Sequence, residues 1–527
     1  MKLDINKLPH YVIESLKSDQ AILHCSEDTG GMVQVTSAVT TEHFRSLPGL
    51  EALNEIRERE GVDSLTVCIL KIDERLIERA VLGLDDGAQI RADLEALLRQ
   101  ERNIYIVYNI THFNHKPCDE LTIFVGGDCY RDDQQSFAAI LERTCDLSTA
   151  MIRKGVMIFP EIPILHGGKK GEWIVIDSEG QKVDGLREQS LVALGALIIP
   201  MGIIFLNLYK ERRARERGIF NAFPTRNFIR PDTASPDVLS GTHWKWMCQV
   251  WKERGLDLSF FTCLPTLLGG PGSESSRATG YGIATTAIRL SESYFKRRNI
   301  KGLHFLLDAL GGVGFSTIEA LTRVFKVPSE NIVAFDPKEE RCKLAEQRYG
   351  LTRTFTLSHK EFYSNIPSDT EFDVWINNGP GGNTTAEHVQ ALLDSGVRLF
   401  CGAANNLLQM SSRHASLQKI FQAGAWVWPD EAASGGGWTL AVMDIYRRSQ
   451  GQRADDSKTE AKILETITSR NANLVSDVLQ RLGDAPAGKE VWEHVNSLID
   501  ARVAKTLSLS IEPAQLAQIA DVRTWAL

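Results

Sequence analysis

Three short segments combine titratable or small polar side chains with glycines, in patterns that can do chemistry. His166-Gly-Gly-Lys-Lys-Gly171 sets a lysine among glycines. Glycines let backbone approach a small ligand, and they can hold an amine in a partly dry site where its pKa falls and it works as a base. The same residues also read as an exposed turn. Ser235-Pro-Asp-Val-Leu-Ser-Gly241 places Asp237 in a loop just before a helix, where an N-cap is the simple alternative. Gly269-Gly-Pro-Gly-Ser-Glu-Ser-Ser-Arg-Ala-Thr-Gly-Tyr-Gly282 reads as a small-residue loop opening a helix, or as a linker.

The stretch from Lys301 to Asp336 carries a different chemistry. An apolar strand runs into Ala-Leu-Gly-Gly-Val-Gly314, a helical segment follows, and a second strand, Asn-Ile-Val-Ala-Phe-Asp336, ends on an acid. This strand, glycine turn, helix, strand and acid suit a dinucleotide. Gly311 is expected to take the tight turn, and Gly314 to let the helix sit close to the strand. The helix N-terminus offers free N–H groups to a pyrophosphate. Asp336 is placed to accept both ribose hydroxyls of the adenosine half, which favours NAD over NADP. The usual first glycine of such a turn is Ala309 here, preceded by an acid, Asp308.

These segments need elements to hold them. With 527 residues, two or three domains are expected. Leu65–Ile72, Ile104–Tyr108 and Trp173–Ile176 have strand character. Ala92–Arg99, Ser136–Ile152 and Thr242–Glu253 have helical spacing. From about residue 285 strands and helices alternate, as in a parallel sheet. A polar break follows Arg448, and then a helical tail runs to Leu527.

Composition narrows the function classes. A net charge of −8 argues against a general nucleic-acid binder, and the basic run Lys210–Arg217 reads as a solvated helix face. Nine scattered cysteines without a Cys-x-x-Cys pair fit a reducing compartment. His112, His115 and Cys118 lack a second ligand cluster nearby, so no metal site is expected. The N-terminal sequence lacks the apolar core of a signal peptide, and a cytoplasmic protein is expected. Ser190–Tyr209 is nearly all apolar, but Pro200, Gly202 and Asn207 interrupt it. A buried helix or an apolar oligomer contact is expected there rather than a membrane span.

Taken in order, the motifs resemble the glutamate/leucine/phenylalanine/valine dehydrogenase family. Asp373-Val-Trp-Ile-Asn-Asn-Gly-Pro-Gly-Gly-Asn383 looks like its strand and loop beside the nicotinamide. Cys401-Gly-Ala-Ala-Asn-Asn-Leu-Leu408 is similar to its Gly-x-Ala-Asn-Asn-Gln-Leu motif. Trp428-Pro-Asp-Glu-Ala-Ala-Ser-Gly-Gly-Gly437 resembles its Pro-Asp-x-x-x-Asn-Ala-Gly-Gly segment. The likeness covers roughly residues 120–445.

The resemblance implies an α/β protein with a substrate domain and a Rossmann NAD-binding domain. The expected division is 1–285 for the N-terminal extension and substrate/oligomerisation domain, 286–448 for the Rossmann domain, and 449–527 for the tail. It implies reversible oxidative deamination of an L-amino acid to a 2-oxo acid and ammonia, and a homo-oligomer. By position, Lys170 matches the catalytic lysine and Asp237 the acid that moves protons at the substrate nitrogen. Lys154, in Met-Ile-Arg-Lys, matches the lysine for the substrate carboxylate. Gly126 and Gly127 match the pocket floor. Thr279 and Asn405 match contacts to the nicotinamide end. Gly311, Gly312, Val313, Gly314 and Asp336 would hold the pyrophosphate and ribose.

Departures from the family pattern shape the expected substrate. Glutamate-specific members carry a lysine just before the glycine pair, and Val125 stands there, so an apolar or aromatic amino acid is expected. Ser434 replaces the asparagine that touches the substrate amine. Lys154 and Lys170 lie 16 residues apart, about four more than in the family, with Phe-Pro-Glu-Ile-Pro163 between them. The competing expectation is an altered or inactive member that keeps NAD binding for a structural or regulatory role.

Overall fold

The structure is a computed structural model. It describes residues 22–26, 33–37, 64–72, 74–81, 86–100, 104–112, 124–129, 153–154, 157, 171–177, 183, 186–187, 189–190, 193–194, 229–231, 274–296, 299–379, 381–437, 439–440, 457–483 and 485–508. The expected helices at Ser136–Ile152 and Thr242–Glu253 lie outside these residues, as do Lys170, Asp237 and most of the apolar stretch 190–209.

The N-terminal half builds a seven-stranded mixed sheet. Its strands are β1 (Ile22–Ser26), β2 (Val33–Ser37), β3 (Ser64–Lys71), β4 (Tyr105–His112), β5 (Phe124–Cys129), β6 (Gly171–Ile176) and β7 (Ile229–Pro231), in the order β1-β2-β3-β4-β6-β5-β7. β3, β4 and β6 fall where the apolar runs predict strands. Helix α1 (Glu74–Val81) buries Ile77 and Ala80. Helix α2 (Gly87–Leu98) buries Ile90 and Leu94, four apart, as an amphipathic helix must.

The second half builds a six-stranded sheet in which every pairing is parallel. Helix α3 (Glu274–Tyr294) precedes it. Then come β8 (Phe305–Asp308), α4 (Gly312–Glu319), β9 (Ile332–Asp336), α5 (Glu339–Tyr349), β10 (Arg353–Thr356), α6 (His359–Ser364), β11 (Val374–Asn377), α7 (Ala386–Asp394), β12 (Leu399–Gly402), α8 (Arg413–Gln422), β13 (Trp426–Val427) and α9 (Asp430–Ala433). Helices α10 (Ser457–Leu482) and α11 (Gly488–Ser508) follow. The strand order β10-β9-β8-β11-β12-β13 is that of a doubly wound nucleotide-binding sheet.

The strands are apolar throughout because helices cover both faces. Phe305, Leu307, Ala334, Ile376 and Cys401 point to one side, where Ile283 and Ala287 of α3, Val475 and Val478 of α10, and Val491 and Val495 of α11 meet them. Leu306, Phe335, Trp375 and Phe400 point to the other, onto Phe362, Val389, Leu392 and Ile420. The C-terminal helices thus share a core with the sheet. Asn471 fastens α10 by donating from Nδ2 to the carbonyls of Gly282 (2.9 Å) and Ala433 (3.0 Å).

The glycine turn differs from the sequence expectation in one respect. Gly311 is extended, with φ −74°, and caps α4. The left-handed residue is Ala309, with φ 69°. Left-handed backbone crowds a Cβ, so Ala309 carries strain that glycine would not. Ala309→Gly is expected to stabilise the protein by about 1 kcal/mol, read as a rise in thermal midpoint. A fall would show that the alanine methyl contributes more packing than the turn costs. Gly314 behaves as expected: a Cβ there would lie 2.2 Å from the carbonyl oxygen of Ala309.

Candidate functional site

Strands β8 and β11 are neighbours in space though α4, β9, α5, β10 and α6 separate them in the chain. The loops leaving their C-terminal ends therefore diverge and open a crevice, the usual ligand position in such sheets. One wall is the turn from Ala309 to Gly312. A Cβ on Gly311 would meet nothing within 4 Å, so the backbone there faces open space. The other wall begins at Asn378, whose N–H donates to the Asp308 carbonyl at 2.8 Å. Its side-chain oxygen accepts from Thr317 Oγ1 at 3.1 Å, while its buried Nδ2 has no hydrogen-bond partner among the described residues. An orphaned buried donor at a strand end is free to meet an acceptor from outside the protein, water or a ligand group.

Asp336 ends β9 beside this turn and is fully buried. Its Oδ2 accepts from Leu310 N–H at 2.8 Å and lies 3.3 Å from Arg341 Nη1. Its Oδ1 accepts from Lys338 N–H at 2.9 Å. The acid thus ties the second strand to the glycine turn. A ribose hydroxyl bound here would have to share the carboxylate with these donors.

Asp308 is a satisfied buried acid. Its Oδ2 accepts from Tyr363 Oη at 3.0 Å and lies 2.7 Å from His359 Nδ1. Burial, with this carboxylate close by, pushes the Tyr363 hydroxyl well above its ordinary pKa. His388 stacks on Tyr363 with ring centroids 4.6 Å apart. Burial and the neighbouring His359 hold its pKa below the usual histidine range. Among the described residues, no group of three or more His, Cys, Asp or Glu side chains is arranged to hold a metal ion.

The turn after β12 brings two candidate residues together. Lys154 is buried, and its Nζ donates to Asn405 Oδ1 at 2.5 Å. The next residue, Asn406, is left-handed, with φ 55°, a conformation asparagine tolerates better than most residues. Asp430, which the motif contains but sequence reasoning left without a role, lies beneath. Its Oδ2 accepts from Asn406 N–H at 2.9 Å and its Oδ1 from Leu407 N–H at 3.4 Å. Burial pushes the Asp430 carboxyl up to about 6, the neighbouring Glu431 adds to this, and Arg413 and Lys154 oppose it. Arg153, beside Lys154, donates to Glu431 Oε1 at 2.9 Å and reaches Asp500 and Asn496 of α11.

Ser434 is buried at the end of α9, and its hydroxyl donates back to the Asp430 carbonyl at 2.7 Å. Thr279 Oγ1 accepts from Gly437 N–H at 2.9 Å, which joins α3 to the Gly435–Gly437 run. Gly312 opens α4 against Ser276 of α3, 3.0 Å from where a Cβ would sit. The Thr317 hydroxyl shares its one proton between Asn378 Oδ1 and the Val313 carbonyl, 2.9 Å away.

The N-terminal sheet converges on Gly126. β6 begins level with it, Gly171 pairing Gly126, and β7 ends level with it, Pro231 pairing Gly126 on the other side. The pairing slips after Gly126, at Gly127, in a bulge. Val125 pairs Arg230. Lys170 immediately precedes Gly171, and Asp237 follows Pro231 in the chain; both lie outside the described residues.

A dinucleotide fits this arrangement. The open backbone at Gly311, the N-terminus of α4 and the orphaned Asn378 amide face the crevice where a pyrophosphate would lie. Strand β9 ends on Asp336, where a ribose would lie.

Residues 269–489 match the sequence pattern of the Glutamate/Leucine/Phenylalanine/Valine dehydrogenase family. The fold is similar to that of the hetero-hexameric glutamate dehydrogenase of Thermus thermophilus in its Leu-bound form, at 16% identity and a TM-score of 0.52, over 88% of this chain and 96% of that one. Lower similarities include Plasmodium falciparum glutamate dehydrogenase 2, at 12% identity and 0.49 over 89% and 98% of the chains. L-tryptophan dehydrogenase of Nostoc punctiforme follows at 15% identity and 0.42 over 78% and 98%. No curated protein matches the chain in sequence. Residues 269–489 thus carry the sequence pattern of the glutamate/leucine/phenylalanine/valine dehydrogenase family, in a chain that diverges widely from the solved structures it resembles.

Proposed function

We infer that this protein catalyses NAD-dependent oxidative deamination of an apolar or aromatic L-amino acid, or the reverse reductive amination. The family's enzymes use NAD or NADP. The observation that carries the reading is the 2.5 Å contact between Lys154 Nζ and Asn405 Oδ1. A lysine suited to a substrate carboxylate meets an asparagine suited to the nicotinamide amide. A substrate held by one and a nucleotide held by the other would have their reacting carbons side by side, which is what hydride transfer requires.

In this reading the bound nucleotide accepts the hydride from the substrate α-carbon, and protein residues do the remaining work. Lys154 pairs with the α-carboxylate. Lys170 takes a proton from the water attacking the substrate imine, and its ammonium form then stabilises the carbinolamine. Asp237 carries protons to and from the substrate nitrogen. Gly126 and Gly127 form the floor, and Val125 leaves it uncharged, which disfavours a side-chain carboxylate. Ser434 leaves room where the family has a longer amide. The crevice between the Gly311–Gly314 turn and Asn378 takes the pyrophosphate, and Asp336 the adenosine ribose, which favours NAD. The protein works as a multi-subunit assembly, as the Thermus enzyme does.

The test is NADH formation at alkaline pH, scanned over the common L-amino acids, with NADP in parallel. Turnover confined to NAD and to apolar or aromatic substrates is expected. Preference for glutamate would overturn the reading of Val125, and preference for NADP that of Asp336. NADH binding without turnover on any amino acid or oxo acid would favour a structural or regulatory member of the family.

A further inference from the structure

The Pro429-Asp430 dipeptide lies in the site without a chemical assignment, and its surroundings are unusual. Asp430 is a buried carboxylate whose two oxygens accept from consecutive backbone N–H groups, those of Asn406 and Leu407. These belong to the turn that carries Asn405. The turn is not a relaxed one, because Asn406 is left-handed at φ 55°. On its other side the Asn406 carbonyl accepts from Gly382 N–H at 2.6 Å. Among the described residues, the Asn405 side chain has one hydrogen-bond partner, Lys154, so its direction depends largely on the backbone beneath it.

We propose that Asp430 is a positioning residue: its carboxylate clamps the Asn405–Leu407 turn and thereby aims the Asn405 amide at the nicotinamide end of the nucleotide. This rests on the nucleotide reading above and deepens it. Asp430 need not touch the nucleotide. It acts through two N–H groups that would otherwise point into a dry interior, and a carboxylate is the side chain that accepts from both at once. An amide cannot replace it, because one of its two ends is a donor and would face a donor. The groups around Asp430 are Glu431 on its own helix, Arg413 on α8, Lys154 from the N-terminal half and Cys401 on β12. Lys154 thus feels Asp430 and bonds Asn405, which links the substrate side of the site to the same clamp.

The decisive experiment is a double-mutant cycle on NADH affinity, measured by fluorescence titration of the full-length chain, which does not depend on turnover. Asp430→Asn and Asn405→Ala are each expected to weaken binding roughly tenfold, about the effect of one lost hydrogen bond to a polar group. The double variant is expected to bind no worse than the weaker single, since both remove the same contact. Effects that multiply would overturn the proposal and leave Asp430 a general structural residue. So would an Asp430→Asn protein that binds NADH as the wild type does.

Thermal melting separates a clamp from a fold defect: Asp430→Asn is expected to melt somewhat lower at neutral pH, because one buried N–H loses its acceptor, yet still to unfold in a single cooperative transition. If that variant does not fold, the wild type serves instead. Its NADH affinity should fall as pH drops through about 6, the change being absent from Asn405→Ala. A flat profile, or one that Asn405→Ala retains, would overturn the clamp. Failure of the wild type to bind NADH at any pH would overturn the nucleotide reading and this proposal with it.

Discussion

Replacing Lys170 by alanine is expected to lower kcat by about 10³-fold and leave NADH affinity within about twofold of wild type. The magnitude follows from the role. A general base that also stabilises developing negative charge acts only in the transition state, so its loss appears in kcat rather than in nucleotide binding. The backbone gives this expectation its geometric support. Lys170 is joined directly to Gly171, and Gly171 pairs Gly126 at the point where β5, β6 and β7 meet. Three chain segments with small residues come together there, and Lys170 leads into one of them. Lys170→Arg is not expected to rescue, because a guanidinium stays protonated and cannot take a proton near neutral pH. Normal turnover by Lys170→Ala would show that another group is the base. Loss of NADH binding in the same variant would instead mark the lysine as a structural element.

The half that carries the parallel sheet was open to reading from sequence because its signals are local. Strands buried on both faces are continuous apolar runs, as in Phe305–Leu307 and Val374–Ile376, and the helices between them have their own caps. Ser358 and Glu361 form a reciprocal capping box before α6, and Gly350 closes α5 in the left-handed conformation. The glycine turn and the terminal acid were visible for the same reason.

What escaped is what depends on distance in the chain. Asp308 reads as a blemish in a strand until Tyr363 and His359, more than fifty residues on, are found bonded to it. Asp430 reads as part of a motif until its carboxylate is found on the Asn406 and Leu407 N–H groups. Gly311 was expected to make the tight turn that Ala309 makes, because residue type points to glycine and only φ identifies the residue that bends. Asn405 and Asn406 look alike in sequence. Their roles diverge in space: the first presents its side chain to Lys154, and the second supplies a left-handed bend.

Gly381→Ala should disable the site while sparing most of the fold. A Cβ on Gly381 would lie 1.5 Å from the Asn405 carbonyl oxygen and 2.6 Å from its carbonyl carbon. Neither atom belongs to a flexible side chain, so the methyl can be accommodated only by moving the Asn405 turn or the Gly381–Gly382 loop. Both carry the crevice wall. Displacing a positioning group by an ångström costs on the order of 10²-fold in rate, and that loss in kcat/KM is expected here. NADH affinity should fall with it, since the turn presents Asn405 and the loop begins at the orphaned Asn378 amide. The hydrophobic contacts of the sheet lie below this layer, so cooperative melting should persist at a lowered midpoint.

Gly424→Ala is the control. That glycine is left-handed, with φ 67°, and a Cβ there meets nothing within 4 Å. Its replacement should cost about 1 kcal/mol of backbone strain and leave turnover unchanged. If Gly381→Ala kept wild-type kcat/KM and NADH affinity, the Asn405 turn would not be part of the reacting site. The 2.5 Å contact with Lys154 would then be a structural bond between the two halves of the chain.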